Sequence, residues 1–195
     1  MYTASKDIKF FIEDFGFITT YIAANVIYKN KTFPRNQARR KLKDMNDKKQ
    51  IKRFKSSSGE YIYTNDFKSN ISAHKKILIE LFSFIYNQSK DIEYFKIEEP
   101  WMNNKYRSDG HIIYLDNDNY LKSFLIEIEF YHKTDKKKYI DIYESGEVQQ
   151  WYYKKYDIDN YFPSIIIINQ SGIKKFDYTF TDIISCNYKF EGLEI

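Results

Sequence analysis

The hydrophobic period of this chain changes from helical to strand-like at Asp91, and that change limits the folds open to it. Before Asp91 apolar residues recur at helical intervals; after it they alternate with polar ones, as in strands that turn one face to a core. Helices followed by strands predict an α/β (α+β) protein, with one domain over residues 1–68 and a second over 69–195. A length of 195 residues suffices for two small domains, and nineteen Tyr with sixteen Phe supply bulk for their cores. The longest apolar run, residues 165–168, is strand-sized and far short of the roughly 18–20 residues of a membrane span. Residues 1–10 lack the basic-then-apolar layout of a secretory signal. A single cysteine, Cys186, excludes a disulfide framework and a multi-cysteine zinc site. A cytoplasmic protein with no membrane partner is expected.

Charge is segregated along the chain. Residues 29–55 hold twelve basic residues against Asp44 and Asp47, so this stretch carries +10 and the remainder −6, within a net +4. Four of the five arginines (Arg35, Arg39, Arg40 and Arg53) lie there, although lysine is used throughout. The guanidinium fork suits phosphates and guanine edges, so the block reads as a footprint for nucleic acid.

The local pattern supports that use. Ser5 can cap a helix carrying Ile8, Phe11, Ile12 and Phe15, with Gly16 as its stop. Thr19 or Thr20 can cap a second helix with Ile22, Ala23, Val26 and Ile27. Pro34 fits the first turn of a third, which places Ala38, Leu42 and Met45 on one face and Arg35, Arg39, Arg40, Lys41 and Lys43 on the other. Strand-like runs at 51–54 and 61–63 flank a Ser- and Gly-containing turn, and Arg53 and Lys55 flank it on the basic side. Three helices and a hairpin predict a winged helix-turn-helix. Its third helix would enter the major groove of double-stranded DNA while the wing touches backbone. A helix starting at Asn70 or Ser72, with His74 near its start, is expected to open the second domain and also to pack against the first.

The second domain carries the acidic residues. Strands are predicted over 92–97, 106–115 and 120–130, forming an antiparallel meander. Along the third, Glu127 and Glu129 share one face of an otherwise apolar strand, and Asp109 can stand on its neighbour. Carboxylates so placed are costly without a partner, and Mg²⁺ or Mn²⁺ is a natural one. The alternative is a solvent-facing side of the sheet. Thr134 is expected to cap a helix over 135–145 whose first turn bears Lys136, Lys137 and Lys138, against the macrodipole preference. A second helix (148–156), a buried strand (165–169), and a tail with one helix and one strand complete the chain. Tyr139, Tyr143, Tyr152, Tyr153 and Tyr156 fall at helical spacings, where core or stacking roles compete with that of a nucleophile.

Taken in order, PRNQARRKL (34–42), IEEP (97–100), SDG (108–110), LIEIEF (125–130), the lysine-bearing helix and FPSIIII (162–168) resemble the replication-relaxation family and the MobC-type relaxases. The resemblance implies a winged helix followed by a PD-(D/E)xK, restriction-endonuclease-like mixed sheet flanked by helices. It also implies metal-dependent nicking of DNA at a transfer or replication origin of a plasmid or conjugative element. By motif, Asp109, Glu127 and Glu129 would be catalytic metal ligands for Mg²⁺ or Mn²⁺, and Glu98 or Glu99 the upstream acid, with Glu99 taken as a fourth ligand. Glu129 stands where the signature lysine would be, so one of Lys133, Lys137 and Lys138 would supply the catalytic cation. Arg35, Arg39, Arg40, Lys43, Arg53 and Lys55 would bind DNA. A second copy of the chain and other relaxosome proteins are further expected partners. A second hypothesis is a DNA-binding regulator or relaxosome accessory factor whose nuclease-like domain does no chemistry. A third is a toxin or defence nuclease without origin specificity.

Overall fold

The computed structural model describes residues 4–56, 59–66, 71–130, 133–174 and 176–193. The chain is a mixed α and β protein that divides into two units, residues 1–88 and 89–195.

The first unit contains α1 (Ala4–Phe15), β1 (Ile18–Thr19), α2 (Thr20–Val26), α3 (Pro34–Asp47), β2 (Lys52–Lys55), β3 (Tyr61–Thr64) and α4 (Ala73–Gln88). Gly16, at φ +87°, ends α1, and its N–H donates to the Ile12 carbonyl at 2.7 Å. Of the two candidate caps for α2 the structure uses Thr19, whose hydroxyl accepts the Ile22 N–H at 3.2 Å. Pro34 opens α3, and Ala38, Leu42 and Met45 are fully buried along its inner face. The three strands form an antiparallel sheet in the order β1-β3-β2. The two-residue β1 was not expected, because a pair of residues carries no periodic signal. Residues 57 and 58 of the predicted turn, and Asn70 as a helix start, lie outside the described residues.

The expected boundary at residue 68 is corrected by α4. This helix, capped by Ser72 through the Lys75 N–H at 3.1 Å, belongs to the first unit. It packs on α2, with Phe82 against Phe15 and Phe11 and with Lys29 Nζ donating to the Tyr86 carbonyl at 3.1 Å. Its apolar stripe is therefore consumed where the first unit needed a wall.

The second unit contains β4 (Asp91–Trp101), β5 (Tyr106–Leu115), β6 (Leu121–Glu129), α5 (Lys136–Ser145), α6 (Glu147–Tyr156), β7 (Ser164–Asn169) and β8 (Ile183–Cys186). The five strands lie in sequence order. The first three are antiparallel, while β7 runs parallel to β6 and β8 parallel to β7. The two helices form the crossover that a parallel β6–β7 pair requires. They pack Tyr139, Ile142, Val148 and Tyr152 against Ile113, Leu125, Ile165 and Ile167 of the sheet. Two expectations need correction here. The cap of α5 is Asp135, which accepts the Lys137 N–H at 2.9 Å, and not Thr134. No helix follows β7 among the described residues. No helix among them is long and apolar enough to cross a membrane.

Candidate active site

Asp109 and Glu127 come from neighbouring strands whose ladder runs to the Gly110–Ile126 pair. One residue beyond that pair, the Asp109 carboxylate accepts the Ile128 N–H at 2.7 Å and so closes the end of the β5–β6 ladder. Gly110 sits within β5, so Asp109 does not serve a turn. Glu127 is buried, and Glu129 is buried two residues further on, which removes the alternative of a wet sheet face.

The first turn of α5 lies over the end of β6. Lys138 Nζ donates to Glu127 Oε1 at 2.6 Å, and the same ammonium donates to the Arg107 carbonyl. The Tyr139 hydroxyl donates to that same Oε1, also at 2.6 Å. Burial pushes the Glu127 carboxyl up to about 7; the Lys138 ammonium opposes the rise and the Asp109 charge adds to it. Tyr139, fully buried beside this anion, is raised well above the ordinary phenol range, so it stays a donor.

Of the three lysine candidates the structure thus brings Lys138 to Glu127. Lys137 turns to Asp141, and Lys133 is exposed in the segment before α5. Glu129, expected as a metal ligand, uses its carboxylate to accept the Thr134 N–H at 2.8 Å, which fixes the approach to α5. Its carbonyl accepts the Tyr188 hydroxyl at 2.6 Å.

Glu99 has partners of its own. It accepts from the Tyr94 hydroxyl at 2.6 Å and from Lys96 Nζ at 3.1 Å, and lies 4.0 Å from His111 Nδ1. Glu98 stands at φ +53° and points outward to Arg107 at 3.5 Å. That left-handed residue changes the phase of β4, so that Glu99 and Trp101 turn inward together. His111 itself is fully buried. Its Nε2 meets the Tyr152 hydroxyl at 2.7 Å, and Ser123 meets the same hydroxyl. Burial, with Lys155 and Lys96 nearby, holds His111 down at about 3, and it is neutral. Glu99 therefore belongs to a polar cluster inside an aromatic core, separate from the partners of Glu127. Among the described residues no three His, Cys, Asp or Glu side chains stand together as a metal-ligand group. The four-carboxylate set reduces to Asp109 and Glu127.

His111 is not singled out by the sequence, and Tyr139 stands there only among five tyrosines at helical spacings. A signal existed only for the lysine: Lys138 precedes buried Ile142 by four residues, so it borders the inner face of α5, whereas Lys137 does not.

In the first unit Arg35, Arg39, Arg40 and Lys43 are exposed along α3, and among the described residues none is paired with a carboxylate. Lys55 is exposed at the end of β2. Arg53 differs: its guanidinium stacks on the Tyr61 ring at 4.4 Å and bonds Tyr63, so part of its capacity is spent within the hairpin. Comparison with protein-family models, with curated proteins and with solved structures gives no match to this chain.

Proposed function

We propose that the chain is a DNA-processing protein whose first unit is a winged helix that grips duplex DNA and whose second unit cleaves a phosphodiester bond with a divalent metal. Its physiological place, under this reading, is the nicking of a transfer or replication origin in a mobile element. The observation that carries the catalytic part is the convergence of Asp109, Glu127 and Lys138 from three different elements at one buried strand end. The DNA-binding part is supported by the exposed cations of α3 and by the element order α1-β1-α2-α3-β2-β3, with β3 in the middle of the small sheet.

The donor chemistry fits a hard cation. Asp109 and Glu127 offer oxygens close enough for the Asp109 charge to raise Glu127, a repulsion that a divalent ion would relieve. Mg²⁺ commonly takes one or two carboxylates and completes its shell with water and phosphate oxygens, so two protein ligands are adequate. Such an ion, when bound, supplies Lewis-acid polarisation of the phosphate and a water of lowered pKa. The chain's own groups then have defined tasks. Tyr139 and Lys138 both hold Oε1 of Glu127, so Oε2 would be the oxygen left for an ion that Asp109 helps to hold. Lys138 also supplies positive charge beside a phosphate whose transition state gathers negative charge. Burial of Glu127 strengthens its bonds to Lys138 and Tyr139.

Incubation with supercoiled plasmid and Mn²⁺ tests the proposal. Wild-type protein is expected to produce open circles, and Glu127→Gln is expected to bind DNA without producing them. Equal nicking by both proteins, or none by either, refutes the catalytic part.

One observation favours the accessory-factor reading. Lys138 already bridges Glu127 to a backbone carbonyl, an arrangement that also serves as a structural ion pair in a domain without catalysis. Under that reading Glu127→Gln retains full biological activity, whereas Arg39→Ala/Arg40→Ala does not.

A further inference from the structure

A cavity of about 310 Å³ opens between α5 and residues 177–180, at the lower end of the size range of small-ligand sites, roughly 300–1,000 Å³. Its walls are largely the rings of Tyr143, Tyr178 and Phe180, with Lys136, Glu144 and Asp177 at its polar positions. Tyr143 and Phe180 stack at 4.1 Å between centroids, and Tyr178 lies 4.9 Å from Phe180. The Tyr178 hydroxyl donates to the Lys136 carbonyl at 3.0 Å, which ties the ring to the first turn of α5.

The cavity is one ring away from the candidate active site. Tyr178 packs edge-on to Tyr139 at 6.3 Å, and Tyr139 holds Glu127. Tyr178 is itself raised above the ordinary phenol range by burial and by the charges of Glu127 and Asp135.

We propose that this cavity receives one unpaired nucleobase, that of a nucleotide flanking the phosphate held at Asp109 and Glu127. The choice of occupant rests on the function proposed above, and three features of the cavity fit it. Aromatic walls stack bases without regard to sequence. Exposed carboxylates, Glu144 and Asp177 (the latter also pairing with Lys174), accept from exocyclic amines, which cytosine, adenine and guanine carry and thymine lacks. Lys136, at the rim, supplies the cation for the phosphate of the same nucleotide. A base inside a duplex is unable to enter, so the pocket selects a melted or flipped nucleotide beside the cut.

The test uses the full chain carrying Glu127→Gln, which removes cleavage, and a single-stranded oligonucleotide containing 2-aminopurine. Binding is expected to quench the probe saturably, and an oligo-dC competitor is expected to displace it better than oligo-dT. Adding Tyr178→Ala is expected to weaken the quenching interaction about tenfold or more, whereas Tyr178→Phe preserves it. Adding Glu144→Ala is expected to reduce the preference for dC over dT, Asp177 being left, and it decides the matter if Tyr178→Ala fails to fold. Absence of quenching, equal quenching with Tyr178→Ala, or an unchanged preference with Glu144→Ala overturns the pocket. Nicking by the wild type is scored separately. Nicking without quenching removes the pocket and leaves the catalytic proposal; quenching without nicking does the reverse.

Discussion

The cations of α3 and the carboxylates at the end of β6 meet opposite physical conditions. Arg35, Arg39, Arg40 and Lys43 stand in water on a helix whose inner face is filled by Ala38, Leu42 and Met45. Glu127 is buried, and it keeps its place through Lys138 and Tyr139. An exposed charge costs the fold little and is available to a partner. A buried charge costs several kcal/mol unless paired, so it persists only where packing supplies the pair. The two regions should therefore separate cleanly under mutation: changes on α3 alter binding and spare stability, whereas changes around Glu127 alter both chemistry and stability.

The largest effect that would break this contrast concerns catalysis. Glu127→Gln is expected to lower Mn²⁺-dependent nicking by a factor of at least about 10² while duplex affinity in a gel-shift titration stays within twofold. A parallel loss of both would mean that the two regions are not functionally distinct.

Next comes the buried pair. Lys138→Ala leaves Glu127 without its cation and is expected to cost about 3–5 kcal/mol in urea unfolding at pH 8. The loss should shrink at pH 5, where the Glu127 carboxyl takes up a proton in the folded chain. Equal losses at both pH values would contradict the pairing.

The pH dependence of the wild type follows from the same group. Glu127 titrates at about 7 when folded, against 4.5 for the ordinary carboxyl. Between those values the folded chain holds a proton that the unfolded chain has released, so stability falls as pH rises through this window. The expected loss is about 3 kcal/mol. Glu80, also raised by burial, adds a slope of the same sign from the first unit, so the informative quantity is the difference from Glu127→Gln. That variant should melt with a visibly flatter profile between pH 4.5 and 7.

The smallest effect on the fold belongs to α3. Arg39→Ala/Arg40→Ala is expected to change stability by no more than about 0.5 kcal/mol. The same variant should weaken duplex binding and reduce the slope of log affinity against log salt by roughly one to two. A large drop in melting temperature would show that these arginines support the fold.

The same contrast explains what the sequence revealed. The α3 surface was legible because exposed charge at helical spacing needs no tertiary information. The alternation that puts Glu127 and Glu129 on one face of β6 was legible for the corresponding reason in a strand, whereas the burial of both faces came from the neighbouring strands and helices. What each buried group touches was not legible. Glu99 was grouped with the metal ligands, but a left-handed Glu98 turns it toward Tyr94 and Lys96, and nothing in residue type announces that conformation. Residue type alone groups Glu129 with the ligands; that its carboxylate accepts the Thr134 N–H is set by the path of the chain into α5. Tyr139 was one tyrosine among nineteen, and its bond to Glu127 depends on how α5 crosses the sheet. The allegiance of α4 likewise depended on long-range packing, since its apolar stripe fits a wall of either unit.

The account turns on Asp109 and Glu127 acting together on one divalent ion. Thermal unfolding at pH 8, with and without Mn²⁺, addresses it directly in the wild type, Asp109→Asn and Glu127→Gln. The wild type should gain stability as RT ln(1 + [Mn²⁺]/Kd), and each variant should lose that gain. An equal gain in all three proteins, or none in the wild type, would contradict the shared site.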